Sequence, residues 1–136
     1  MKTLLTVEES QRLIELGVDP KMASMKEFIP IHPEVLKGNV EYAKPWGWMP
    51  KFRLEDILSI LPKEIDGYEL NMSANKCEYF VSYILWDTMD EGDYIKDILS
   101  FKQFSASELI DALNQLLIWC LEQKNHQKKG GLIWYL

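Results

Sequence analysis

The stretch Tyr68–Trp86, YELNMSANKCEYFVSYILW, decides the fold. In its first half Tyr68, Leu70 and Met72 alternate with Glu69, Asn71 and Ser73, the period of a strand with one buried and one wet face. In its second half Tyr79, Val81, Tyr83 and Leu85 take one face and Phe80, Ile84 and Trp86 the other. A strand apolar on both faces belongs at the centre of a sheet. A turn rich in Asp and Gly, Asp87 to Asp93, then leads to a third strand, Tyr94 to Phe101, whose alternation breaks at Asp97.

Helical patterns flank these strands. Leu54, Ile57, Leu58 and Leu61 recur at i, i+3, i+4 and i+7, Glu55 and Asp56 suit the positive end of a helix, and Pro62 stops the run. Downstream, Ser105-Ala106-Ser107-Glu108 reads as a capping box that opens a helix to about Lys124, about 30 Å long at the usual rise. Its apolar face is Leu109, Ile110, Leu113, Leu116, Leu117, Cys120 and Leu121, extended by Trp119. Asp111, Asn114, Gln115 and Glu122 mark the expected wet side, with Ile118 in its middle.

Upstream, Thr6-Val7-Glu8-Glu9 is another capping box, and Gly17 closes the helix it begins. Five prolines between Val18 and Phe52 leave room only for a short helical turn around Lys21 to Glu27, so this reads as a long irregular stretch.

The expected fold is α+β, and 136 residues suit one domain. Residues 1–53 form an N-terminal helix and a long loop. Residues 54–124 form an αβββα core, a three-stranded antiparallel meander packed under a long C-terminal helix. Residues 125–136 are a polar tail with an apolar end. The αβββα order is that of the double-stranded RNA-binding domain, a likeness of topology alone, because the helix start at Ser105 to Glu108 is acidic rather than basic.

Charge narrows the partners. The net charge of −6 is concentrated: residues 1–63 carry nine basic and nine acidic side chains, 64–97 carry two and nine, and 98–136 carry four and three. A middle of that sign repels phosphate backbones, which disfavours nucleic acid and favours a basic protein partner. No apolar run approaches the roughly 20 residues of a spanning helix, and the start is too short for a signal peptide, so the chain reads as cytoplasmic with no membrane partner. Cys77 and Cys120 are far apart, without CxxC spacing or a histidine companion, and no nucleotide, zinc-protease or nucleophile motif is present. No catalytic residue, metal ligand or cofactor is expected, and His32 and His126 read as structural or solvent-facing.

Three segments carry a resemblance: Leu16-Gly17-Val18-Asp19-Pro20, Met49-Pro50 through Leu61-Pro62, and Leu109-Ile110-Asp111-Ala112-Leu113 through Trp119-Cys120-Leu121-Glu122. In these the chain resembles a family of small uncharacterised proteins of gut anaerobes, their prophages and mobile elements. The shared motifs are caps and core stripes, so the resemblance implies a fold and no activity. Arg53 departs from the Ser-type cap that such proteins favour.

Three surfaces are candidates. Tyr42, Trp46 and Trp48, among Lys44, Pro45, Gly47 and Pro50, form either a lid tied onto the core or a groove that stacks a ligand. Asp87, Asp90, Glu91 and Asp93 form a solvated turn or a partner contact. As a calcium loop from Asp87 they fail, because Met89 replaces the second ligand and Ile98 the closing Glu. The tail Leu132, Ile133, Trp134, Tyr135 and Leu136 packs on its own chain, or it reaches a partner or second copy after the Gly130-Gly131 hinge. Ile118 is an exposed apolar residue or a contact point. The expectation is a non-enzymatic interaction protein, by the resemblance an accessory factor of a phage or mobile element, with a small-ligand module as the alternative.

Overall fold

The computed structural model describes residues 1–30, 46–88 and 95–130, with side chains at all of these except 86–88, 95–101 and 126–130. Helix α1 (Val7–Glu15) has the capping box read from sequence: Thr6 Oγ1 accepts from Glu9 N at 3.1 Å and Glu9 Oε1 accepts from Thr6 N at 2.9 Å. It stops where Gly17 takes φ +114°. Gly17 N donates to Ile14 O and Val18 N to Leu13 O, each at 3.0 Å, the Schellman pattern that only a residue without Cβ adopts freely.

The proline-rich stretch is more ordered than its composition suggests. A 3-10 turn at Pro20–Met22, capped by Asp19, is all that forms of the helical turn expected to reach Glu27. Instead Met25–Pro30 (β1) pairs antiparallel with Trp46–Lys51 (β2), so part of the expected loop is a two-stranded sheet. A two-stranded sheet has an outer edge on each strand, where a proline lacking an N–H breaks no ladder bond. Pro30 and Pro50 are accommodated on those terms.

Helix α2 (Leu54–Ile60) follows, with Arg53 at its N-cap. An arginine side chain has no acceptor to offer the helix N–H groups. Only the return half of the box is made, with Asp56 Oδ2 accepting from Arg53 N at 2.8 Å.

Among the described residues the main sheet has four strands rather than three, in the antiparallel order β3 (Glu64–Ile65), β4 (Tyr68–Ala74), β5 (Tyr79–Thr88) and β6 (Ile95–Ala106). The added strand comes from an Asp66-Gly67 turn, with φ of +51° and +85°, the left-handed pair that a tight hairpin requires. Two register shifts between β5 and β6, at Tyr83/Ile84 and Asp87/Thr88, account for the broken alternation around Asp97.

Helix α3 (Leu109–Gly130) begins later and ends later than its sequence pattern indicates. Ser105 and Ala106 complete the β6 ladder opposite Phe80 and Tyr79, so strand pairing displaces the expected capping box. Glu108 instead turns its Oε2 onto Lys2 N at 2.9 Å. The backbone of Asn125 to Gly130, expected in a tail, continues the helix.

The result is a mixed α+β fold in which α3 packs against the sheet on one side and α2 on the other. One hydrophobic cluster joins Leu13 of α1, Ile57 of α2, Val81 and Tyr83 of β5 and Ile110, Leu113, Leu116 and Leu117 of α3, with Phe52 fully enclosed. Being enclosed from two sides, α3 has a narrower wet side than expected. Asn114 is buried and its Oδ1 has no hydrogen-bond partner among the described residues, while Ile118 packs against the core. Ile118 is therefore not the isolated exposed residue read from the sequence.

Candidate functional site

Antiparallel pairing places Phe28 directly opposite Trp48 and Pro30 opposite Trp46. Side chains alternate along each strand, so Lys26, Phe28 and Pro30 share one face of the hairpin with Trp46, Trp48 and Pro50. Met49, on the other face, is buried, and β2 packs on α1. The aromatic face therefore points away from the protein. Phe28 is 51% exposed, Trp46 54% and Trp48 66%.

These rings touch one another. Phe28 lies 5.8 Å from Trp46 at an interplanar angle of 29°, and 5.1 Å from Trp48 at 46°. Separations in this range are attractive for tilted rings and hold the three side chains as one ridge.

The base of the hairpin is tied to the core at several points. Asp56 Oδ2 accepts from Ser24 N, Ser24 Oγ and Arg53 N at 2.8–2.9 Å, joining the residue before β1 to the cap of α2. Phe52 N donates to the buried Ser10 Oγ at 3.1 Å, and Phe52 O accepts from Leu5 N at 2.9 Å. On the inner face Lys51 Nζ meets Glu27 Oε1 at 3.4 Å. Lys26 is consequently the one charged residue on the aromatic face of the two strands.

The lid expected of Trp46 and Trp48 is not what forms, since both project into solvent from a sheet. One cleft beside the hairpin is lined by Glu27, Ile29, Pro30 and Lys51 with Thr6, Val7 and Glu8 of α1 and its cap, and Trp46 and Trp48 are not among its lining residues. Phe28 completes the ridge, and nothing in the sequence marked it: its partners are 18 and more positions away across a long connection. Tyr42, the third residue of the expected groove, lies outside the described residues, as do Asp90, Glu91, Asp93 and the tail residues Leu132, Ile133, Trp134, Tyr135 and Leu136.

Of the expected acidic turn, Asp87 belongs to β5 by its backbone, opposite Asp97, so the strand runs further than expected. Glu64 and Glu69 also lie opposite one another. These two glutamates are like charges in register, which is unfavourable and makes the β3–β4 edge locally negative. Among the described residues no group of three or more His, Cys, Asp or Glu side chains is arranged to hold a metal ion.

The buried thiol is inert rather than nucleophilic. Burial pushes the Cys120 thiol up to about 12 against a small opposing effect of the Tyr83 hydroxyl, 3.9 Å away. Burial likewise raises the Tyr83 phenol, which donates to Pro62 O at 2.8 Å. Both groups stay neutral and serve packing.

Comparison with known proteins returns no matching family model, no similar curated protein and no similar solved structure. Among the described residues no helix is long and apolar enough to cross a membrane.

Proposed function

We propose that the protein is a non-enzymatic, cytoplasmic interaction protein that docks a partner protein through the aromatic face of its β1–β2 hairpin. The observation that supports this reading is the joint exposure of Phe28, Trp46 and Trp48 on a strand pair whose opposite face is anchored to the core. Exposed aromatic ridges on a rigid support are favourable anchors for protein interfaces, where Trp and Tyr dominate binding energy. Lys26 as the charge on that face favours a partner that presents apolar side chains bordered by carboxylates.

The alternative, a platform that stacks a sugar or a base, is less favoured by the ring angles. A flat ligand is best met by near-coplanar rings, and Phe28 is inclined by 29° and 46° to its neighbours. A ridged surface suits interdigitating side chains.

The test is affinity capture from the source cell with the wild type, a Phe28→Ser/Trp46→Ser/Trp48→Ser variant, a charge reversal at Asp87, Asp90, Glu91 and Asp93, and a chain ending at Gly131. Loss of one defined partner in the aromatic variant alone supports the proposal. Retention there, with loss on charge reversal or truncation, moves the interface to the acidic turn or the tail and overturns it.

A further inference from the structure

A cleft of ≈ 330 Å³ opens where four segments meet: the turn after α1, the 3-10 turn, the end of α2 and the middle of α3. It is separate from the aromatic hairpin. Val18, Ile60, Leu117 and Leu121 give it apolar walls, and Cys120, neutral for the reasons above, adds no charge to its lining. Met22, 43% exposed, stands at its lip, an adaptable side chain of the kind common at apolar binding surfaces. The volume lies at the lower end of small-molecule sites, about 300–1,000 Å³, and at about 30 Å³ per water it accommodates roughly ten heavy atoms.

Two charges border this space, and they differ in availability. Asp19 Oδ1 already accepts from Lys21 N at 2.9 Å as the cap of the 3-10 turn. Lys124, half-buried on α3, has no hydrogen bond or ion pair among the described residues. Lys124 contributes to the lining and its ammonium is not ion-paired among the described residues, an arrangement suited to an apolar body that ends in an anion.

We propose that this cleft binds a small anionic amphiphile, a monocarboxylate with a short aliphatic chain or single ring, its apolar part between α2 and α3 and its carboxylate on Lys124. The match is one of size, apolar lining and a lysine not ion-paired among the described residues, the Asp19 carboxylate on the same rim being held by Lys21 N.

Octanoate, with ten heavy atoms, is the probe. Calorimetry and amide chemical shifts would follow octanoate, octylamine and octanol on the full chain. Octanoate binding is expected to move the amides of Gly17, Ser59 and Leu121, to weaken about tenfold in Lys124→Ala, and to be blocked in Ser59→Trp, which fills the mouth from an exposed position. Because Ser59 and Lys124 lie outside the enclosed core, both variants should keep the wild-type fold, which circular dichroism checks. No binding of octanoate overturns the proposal. Equal binding of octanol, unchanged affinity in Lys124→Ala, or a preference for octylamine overturns the assignment of the head group to Lys124.

Discussion

Phe28 and Trp48 face each other across β1 and β2 with ring centroids 5.1 Å apart, yet about half or more of each side chain is in contact with solvent. Contact without enclosure separates a docking face from a core. An aromatic pair is worth about 0.5–1.5 kcal/mol beyond area burial, whereas truncating an enclosed Phe costs about 3–5 kcal/mol. Trp48→Ala is therefore expected to lower unfolding stability by about 1 kcal/mol and Phe52→Ala by at least about 3 kcal/mol in urea titrations. A large loss in Trp48→Ala would show that the ridge is structural.

Ser10 predicts a cost out of proportion to its size. Its hydroxyl is fully enclosed and accepts from Phe52 N at 3.1 Å. Ser10→Ala leaves that N–H without its acceptor, a penalty of about 1–3 kcal/mol. Ser59→Ala, at an exposed position, should change stability by less than about 0.5 kcal/mol in the same titration.

The amino-terminal segment predicts an acid-side dependence. Lys2 Nζ reaches Asp111 Oδ1 at 2.8 Å and Glu9 Oε1 at 3.0 Å. Burial alone would lower the Lys2 ammonium, but hydrogen bonds to Asp111 and Glu9 outweigh it and hold the group above 10.5. Burial would raise the Glu9 carboxyl, but hydrogen bonds from Thr6 and Lys2 outweigh it and hold it below 4.5. The Glu9 contribution is therefore complete above pH 4.5 and is lost as pH falls through its depressed folded value. The Lys2 contribution is complete below pH 10.5 and is lost as pH rises through its raised folded value. Lys2→Met should cost about 1 kcal/mol at neutral pH, as for two partly exposed ion pairs, and flatten stability against pH at both ends. An unchanged acid limb in that variant would show that the Thr6 cap alone controls Glu9.

The two cysteines should differ in reactivity. Cys77 is exposed, whereas Cys120 is enclosed with its thiol pushed up to about 12. Iodoacetamide at pH 8 should add one label to the native chain and two in denaturant, read by intact mass. Two labels under native conditions would show that α3 opens readily.

Asn114 predicts a stabilising substitution. Its buried Oδ1 has no hydrogen-bond partner among the described residues. Asn114→Leu removes an unmet acceptor at similar volume and is expected to raise stability by up to about 1 kcal/mol in thermal melts. A destabilised variant would point to a partner for this side chain in solution.

Local chemistry made much of the fold readable. The Thr6-to-Glu9 box, the Gly17 stop, the stripe from Leu54 to Leu61 and the two-residue period of Tyr68 to Met72 depend on residues within a few positions of one another. The sheet-under-helix arrangement follows from them. The Asp66-Gly67 pair was an equally local signal for the fourth strand, and its two-residue partner was too short to show a period.

By itself, then, the sequence determined the α+β class, both ends of α1, the central strands and the main apolar face of α3, because backbone propensity and side-chain periodicity act over a single turn or strand. Tertiary structure decided what long-range pairing controls: the β1–β2 hairpin that turns Trp46 and Trp48 outward beside Phe28, the displacement of the Ser105 cap by the β6 ladder, and the enclosure of Ser10 and Asn114. Those outcomes depend on which distant segment supplies the missing hydrogen bond or covers the exposed face, and no local pattern encodes that choice.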